Sequence, residues 1–101
     1  MPSEDAGTDL EAFRAAGRAL FSLGLIRGTD GNLSTLSGRT LVITRTGAAL
    51  DRLSASDLIA GSVDGPVPGA SSDLEVHRSM YAERGPGAIA HSHPAGTLPE
   101  A

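Results

Sequence analysis

The sequence predicts an α/β domain, and three observations carry that expectation. A capped helical stripe opens the chain, two β-prone runs flank a glycine turn, and a second helical segment leads into a short apolar run. The 101 residues fit one domain, with no internal repeat and no linker. Hydrophobic residues make up 40%, enough for a modest core, but Phe13, Phe21 and Tyr81 are the only aromatics. The core must therefore be assembled from Leu, Ile, Val and Ala.

Each element has a local cause. Thr8-Asp9-Leu10-Glu11 reads as a capping box, with Thr8 as N-cap, and residues 1–8 before the helix are expected to be disordered. Leu10, Phe13, Gly17, Leu20 and Phe21 recur at helical spacing, and Gly24 suits the C-cap. Asn32–Leu36 and Thr40–Thr44 flank Ser37-Gly38-Arg39, a hairpin pattern. Ser54 caps a brief helical turn through Asp57. Leu58–Val63 then reads as a third strand, closed by Asp64-Gly65-Pro66. A second helix is expected from Ser71 or Ser72, burying Leu74, His77 and Tyr81 and stopping near Gly85-Pro86-Gly87. Ala88–His91 is the last strand.

Composition excludes several classes of function. The net charge is −4, and all eight basic residues are arginines scattered without a cluster, so no nucleic-acid footprint is expected. The absence of cysteine removes disulfides and thiolate metal sites. Met1–Thr8 is polar and acidic, unlike a signal peptide, and no apolar run is long enough to span a membrane. A soluble cytoplasmic protein is the default.

Three segments could carry chemistry. His91 and His93 stand at i and i+2 on an extended segment, so their imidazoles project to one face and can share a metal ion. Ser72-Asp73-Leu74-Glu75 is a second capping box, yet hydroxyls and free N–H groups at a helix start also attract anions. Gly28-Thr29-Asp30-Gly31-Asn32 reads first as a tight turn before a strand, and Thr46-Gly47 is an ordinary strand terminator taken alone. His77 and Tyr81 read as core or supporting residues rather than as ligand or catalyst.

The order of these pieces is more specific than any one of them. A Gly-Asn turn precedes a strand; Leu41-Val42-Ile43-Thr44-Arg45-Thr46-Gly47 follows, then Leu53-Ser54 with Asp57-Leu58. Ser71-Ser72-Asp73 comes next, with His77 and Tyr81 behind it, and the run ends on His91-Ser92-His93. Over about residues 10–97 this resembles the N-terminal half of the class II aldolase/adducin family, which includes fuculose-phosphate aldolase and ribulose-phosphate 4-epimerase.

The resemblance implies a truncated three-layer α/β/α sandwich around a mainly antiparallel sheet. It implies zinc on His91 and His93, and a substrate phosphate held by Gly31, Asn32, Thr46, Gly47, Ser71 and Ser72. Asp73 takes the place of the acidic proton-transfer residue; Asp is the epimerase pattern there, Glu the aldolase one. The implied activity is zinc-dependent retro-aldol cleavage or epimerisation of a sugar phosphate. The family's third zinc histidine lies in its other half, so the chain alone is expected to be incomplete or inactive. A homo-oligomer or a complementing chain would be its partner, and an uncovered sheet edge or apolar face should mark the missing half. The alternative is a non-catalytic, adducin-like interaction module.

Overall fold

The computed structural model describes residues 2–26 and 31–92, with side chains described from Leu10 onward. Helix α1 spans Pro2–Ser22, and the hairpin β1 (Asn32–Ser37) and β2 (Thr40–Thr44) follows. Two short 3-10 turns, Leu50–Arg52 and Ala55–Asp57, lead into β3 (Leu58–Ser62). Helix α2 (Leu74–Arg84) and strand β4 (Gly87–His91) complete the described fold.

Helix α1 starts earlier than its sequence suggests. It begins at Pro2, so Thr8 lies inside it and cannot be its N-cap, and residues 2–8 are helix rather than a disordered lead-in. Proline suits the first turn of a helix, where its missing N–H is not needed. The far end behaves as expected. Gly24 has a φ of 75°, Leu25 N–H donates to Leu20 O at 2.9 Å, and Gly24 N–H donates to Phe21 O at 3.1 Å, a Schellman closure. Phe13 and Gly17 are buried, but Phe21 is 48% exposed. It sits roughly 80° around the helix from Phe13, at the margin of the stripe.

All strand pairs are antiparallel, in the order β3-β2-β1-β4. The hairpin turn is Gly38-Arg39, since Ser37 pairs with Thr40 and Gly38 takes a φ of 60°. Register divides the side chains between two layers. Leu33 and Val42 join Phe13, Ile26, Ala48, Leu50 and Leu53 on the α1 face. Leu36, Leu41 and Ile43 join Val67 and Tyr81 on the α2 face. Helices therefore cover both faces, the three-layer α/β/α arrangement. Contact on the α1 side is close: a Cβ on Gly17 would fall 1.9 Å from Leu50 O.

Helix α2 also needs a correction at its start. Asp73, not Ser72, is the residue before the first helical turn, and Ser71 Oγ accepts the Asp73 N–H at 3.2 Å. Leu74 N–H donates to Ser71 O at 3.0 Å, which tightens the entry into a single turn built on Ser71. Ser72 is left exposed. Gly85, with a φ of 88°, ends the helix as its position suggests.

The Leu50–Arg52 turn has no counterpart in the sequence pattern, whereas the Ala55–Asp57 turn forms where Ser54 predicts it. An apolar groove of about 230 Å³ lies between α1 and the outer strand, lined by Ala12, Phe13, Ala16, Leu33, Ala88 and Ala90. Among the described residues no helix is long and apolar enough to cross a membrane.

Candidate active site

The site grows from the register of β1 against β4. Asn32 pairs directly with His91, which puts both side chains on the α2 face at one end of the sheet. The start of α2 passes over that end and lowers Asp73 onto them. Asn32 Nδ2 donates to Asp73 Oδ2 at 2.7 Å, and His91 Nδ1 lies 3.0 Å from the same oxygen. The Asn32 hydrogen bond holds the Asp73 carboxyl below the usual carboxylate range, burial opposes that, and the charge and hydrogen bond of His91 reinforce it. Asp73 is thus an ionised, shared acceptor.

Behind this surface the polar contacts continue inward. His77, fully buried, meets Asn32 Oδ1 through Nε2 and Ser34 Oγ through Nδ1 at 2.5 Å. Ser34 Oγ lies 2.8 Å from the Tyr81 hydroxyl. Burial pushes the His77 pKa down to about 4, with His91 adding to the fall and Asp73 opposing it. Its ring stands edge-on to that of His91, centroids 6.4 Å apart.

The hydroxyl and glycine loops reach the same end by backbone pairing. Arg45 bridges Ala70, Thr46 N–H donates to Gly69 O at 3.1 Å, and Ser71 N–H donates to Thr44 O at 3.0 Å. Thr46-Gly47 and Ser71-Ser72 are therefore neighbouring loops, with Thr46, Gly47 and Ser72 exposed and Ser71 buried. Arg45 Nε donates to Asp57 Oδ1 at 2.7 Å and its Nη1 to Thr46 O at 3.0 Å, which ties the loop to the second 3-10 turn. Asp57 in turn accepts from Ser54 N–H at 2.9 Å, the largest cause of its lowered pKa. Gly31 has a φ of 108°, and a Cβ there would fall 2.8 Å from His91 O, so only glycine lets the β1 entry lie against the end of β4.

Of the residues singled out by sequence, Asn32, Asp73 and His91 touch, Gly31 and Ser71 flank them, and Thr46, Gly47 and Ser72 border the same end. His93 and the Gly28-Thr29-Asp30 segment lie outside the described residues. Among the described residues no group of three or more His, Cys, Asp or Glu gathers to hold a metal; His91 and Asp73 stand together as two. That set is short of the three protein ligands of a catalytic zinc. Sequence reasoning missed Ser34, Arg45 and the hydroxyl of Tyr81. The available signal was Asn32 and Ser34 at strand spacing opposite His77 and Tyr81 at helical spacing, polar groups on two otherwise apolar faces.

Comparison with known proteins resolves the ancestry. The family described as class II aldolase and adducin N-terminal domain matches residues 11–98. This chain belongs to the class II aldolase and adducin family. Its fold superposes on a crystal structure of L-fuculose-1-phosphate aldolase from Thermus thermophilus with a TM-score of 0.78 and 40% identity, covering 85% of this chain and 45% of that one. It is 37% identical over 82 residues to a 5-methylthioribulose-1-phosphate/5-deoxyribulose-1-phosphate aldolase of Rhodospirillum rubrum, covering 77% of this chain and 37% of that protein. It is also 35% identical over 85 residues to a probable bifunctional methylthioribose-1-phosphate isomerase/methylthioribulose-1-phosphate dehydratase of Nocardia farcinica, 78% of this chain and 15% of that protein. The class II aldolase and adducin chain described here thus spans less than half the length of these relatives.

Proposed function

We propose that this chain supplies the phosphate-binding and proton-transfer half of a site that cleaves or epimerises a sugar phosphate, completed by further polypeptide. The contact set Asn32–Asp73–His91, in a chain of this family, carries the reading. The names of its relatives, aldolases and a dehydratase of phosphorylated sugars, support the substrate class. In this reading Gly31, Asn32, Thr46, Gly47, Ser71 and Ser72 hold the phosphate with N–H and hydroxyl donors, which need no lysine. One Asn32 amide hydrogen is committed to Asp73. His91 and His93 hold zinc together with a donor from the completing polypeptide. Zinc supplies Lewis-acid polarisation of a substrate carbonyl when bound.

Asp73 is the proton-transfer residue of this proposal. The third zinc donor and the remaining acid–base groups come from the completing polypeptide in this reading, so the isolated chain is expected to turn over no sugar phosphate. Zinc binding should be weak for want of a third ligand. Zinc stoichiometry of the purified chain, with His91→Ala and His93→Ala as controls, tests the metal; equal uptake by all three would remove it. Titration with inorganic phosphate, followed at the Gly47, Ser71 and Ser72 amides by NMR, tests the anion site, and unmoved resonances would reject it. Retro-aldol turnover of a ketose phosphate by the chain alone would overturn its incompleteness.

A further inference from the structure

The buried polar row behind Asp73 has a direction that the donors and acceptors of its members determine. An ionised carboxylate only accepts, so the group of Asn32 that faces Asp73 Oδ2 at 2.7 Å must be its amide nitrogen. The amide oxygen then faces His77 and also only accepts. His77 Nε2 must therefore carry the proton. In a neutral imidazole this leaves Nδ1 as acceptor, so the Ser34 hydroxyl donates to it at 2.5 Å. Ser34 has then spent its single proton, and the 2.8 Å contact with Tyr81 must be donated by the tyrosine. Every bond points the same way: Tyr81 to Ser34 to His77 to Asn32 to Asp73. The alternative acceptor of the Tyr81 proton, Gly87 O, is farther at 3.5 Å.

We infer that Tyr81, Ser34 and His77 are positioning residues, forming a one-way hydrogen-bond row that holds the Asn32 amide with its nitrogen toward Asp73. Reversing the amide would turn its oxygen onto the carboxylate and its nitrogen onto the proton of His77, two repulsive contacts among buried atoms. The row orients; it does not conduct, because an amide between His77 and Asp73 cannot pass a proton as an imidazole or hydroxyl can. All four inner members are buried, so water cannot substitute for a missing partner. The consequence for Asp73 rests on the proton-transfer role proposed above, whereas the orientation of Asn32 stands without it.

The test needs neither metal nor substrate, so its failure is separate from failure of the proposed activity. In the full chain labelled with 15N-histidine, the His77 signals, assigned by their absence from His77→Gln, should show a protonated Nε2 and a bare Nδ1 at neutral pH. A Nδ1-protonated or doubly protonated ring would overturn the row without any variant. The Asn32 side-chain NH2 resonances supply the second readout. They should move in His77→Leu, which has no donor, and return towards their original position in His77→Gln, whose terminal amide can donate to Asn32 Oδ1. Asn32 resonances in His77→Leu that coincide with those of the unsubstituted protein would sink the positioning role. Ser34→Ala should leave Nε2 protonated, because Asn32 Oδ1 still only accepts, but should shift the bare Nδ1 resonance of His77, which loses its hydrogen-bond donor. An Nδ1 resonance unchanged in Ser34→Ala would remove Ser34 and Tyr81 from the row.

Discussion

The two faces of the sheet are built by opposite rules. The α1 face is mostly apolar: Phe13, Ile26, Leu33, Ala48, Leu50 and Leu53 pack together, beside the fully buried Thr44, whose Oγ1 accepts the Leu33 N–H at 3.2 Å. The α2 face carries an apolar half around Leu36, Leu41 and Ile43, then a buried polar row from Tyr81 to Asn32 that ends at Asp73. Dispersion and burial are non-directional, so the first face supplies stability and accepts any arrangement that fills its volume. Hydrogen bonds are directional, so the second face fixes which way particular atoms point. The candidate site grows from the directional face, at the end where the row reaches solvent.

The largest expected effect lies on the apolar face. Leu50 is fully buried against α1, and Leu50→Ala should cost about 2–5 kcal/mol in urea unfolding, leaving the NMR signals of the polar row in place. A loss below about 1 kcal/mol would mean that the α1 layer is loosely packed.

Acid should act through the other face. The His77 pKa is lowered to about 4, so the folded chain binds fewer protons than the unfolded one between roughly pH 6.5 and 4. Stability is therefore complete above about pH 6.5 and declines as pH falls, by on the order of 3 kcal/mol once both states are protonated. Asp57 and Asp73, whose pKa values are also lowered, extend the decline further into acid. In His77→Gln the portion between about pH 6.5 and 4 should disappear; an unchanged profile would show that His77 does not titrate with unfolding.

Gly17→Ala gives a test of sign. Helix propensity alone favours alanine by about 1 kcal/mol, but a Cβ 1.9 Å from Leu50 O forces α1 away from the first 3-10 turn. Net destabilisation of about 1–3 kcal/mol is expected from thermal or urea melts, and stabilisation would contradict the close approach. The smallest effect is that of Tyr81→Phe, about 0.5–1.5 kcal/mol, because it removes one donor at the inner end of the row. A double-mutant cycle with Ser34→Ala should show coupling, while Tyr81→Phe with Leu50→Ala should be additive.

Much of the fold is legible in the sequence because it depends on near neighbours in the chain. Gly38 marks the hairpin, Gly24 and Gly85 end the helices, and Ser54 with Asp57 forms a capping turn, each through contacts a few residues apart. The start of α2 misleads because Ser72-Asp73-Leu74-Glu75 satisfies the capping pattern while Ser71 makes the bond. Thr8 misleads similarly, since a capping pattern inside a longer helix has no free N–H groups to serve.

Local pattern is therefore enough to specify most of the elements, the two glycine-ended helices and the family. Which of the site residues touch is a matter of packing alone. Asn32 meets Asp73 across 41 residues of chain and His77 across 45, and no local rule encodes such a contact. It arises because the register of β1 on β4 and the seating of α2 are set by how all the apolar side chains pack at once. The direction of the buried row follows from that placement and from the donor count of each side chain.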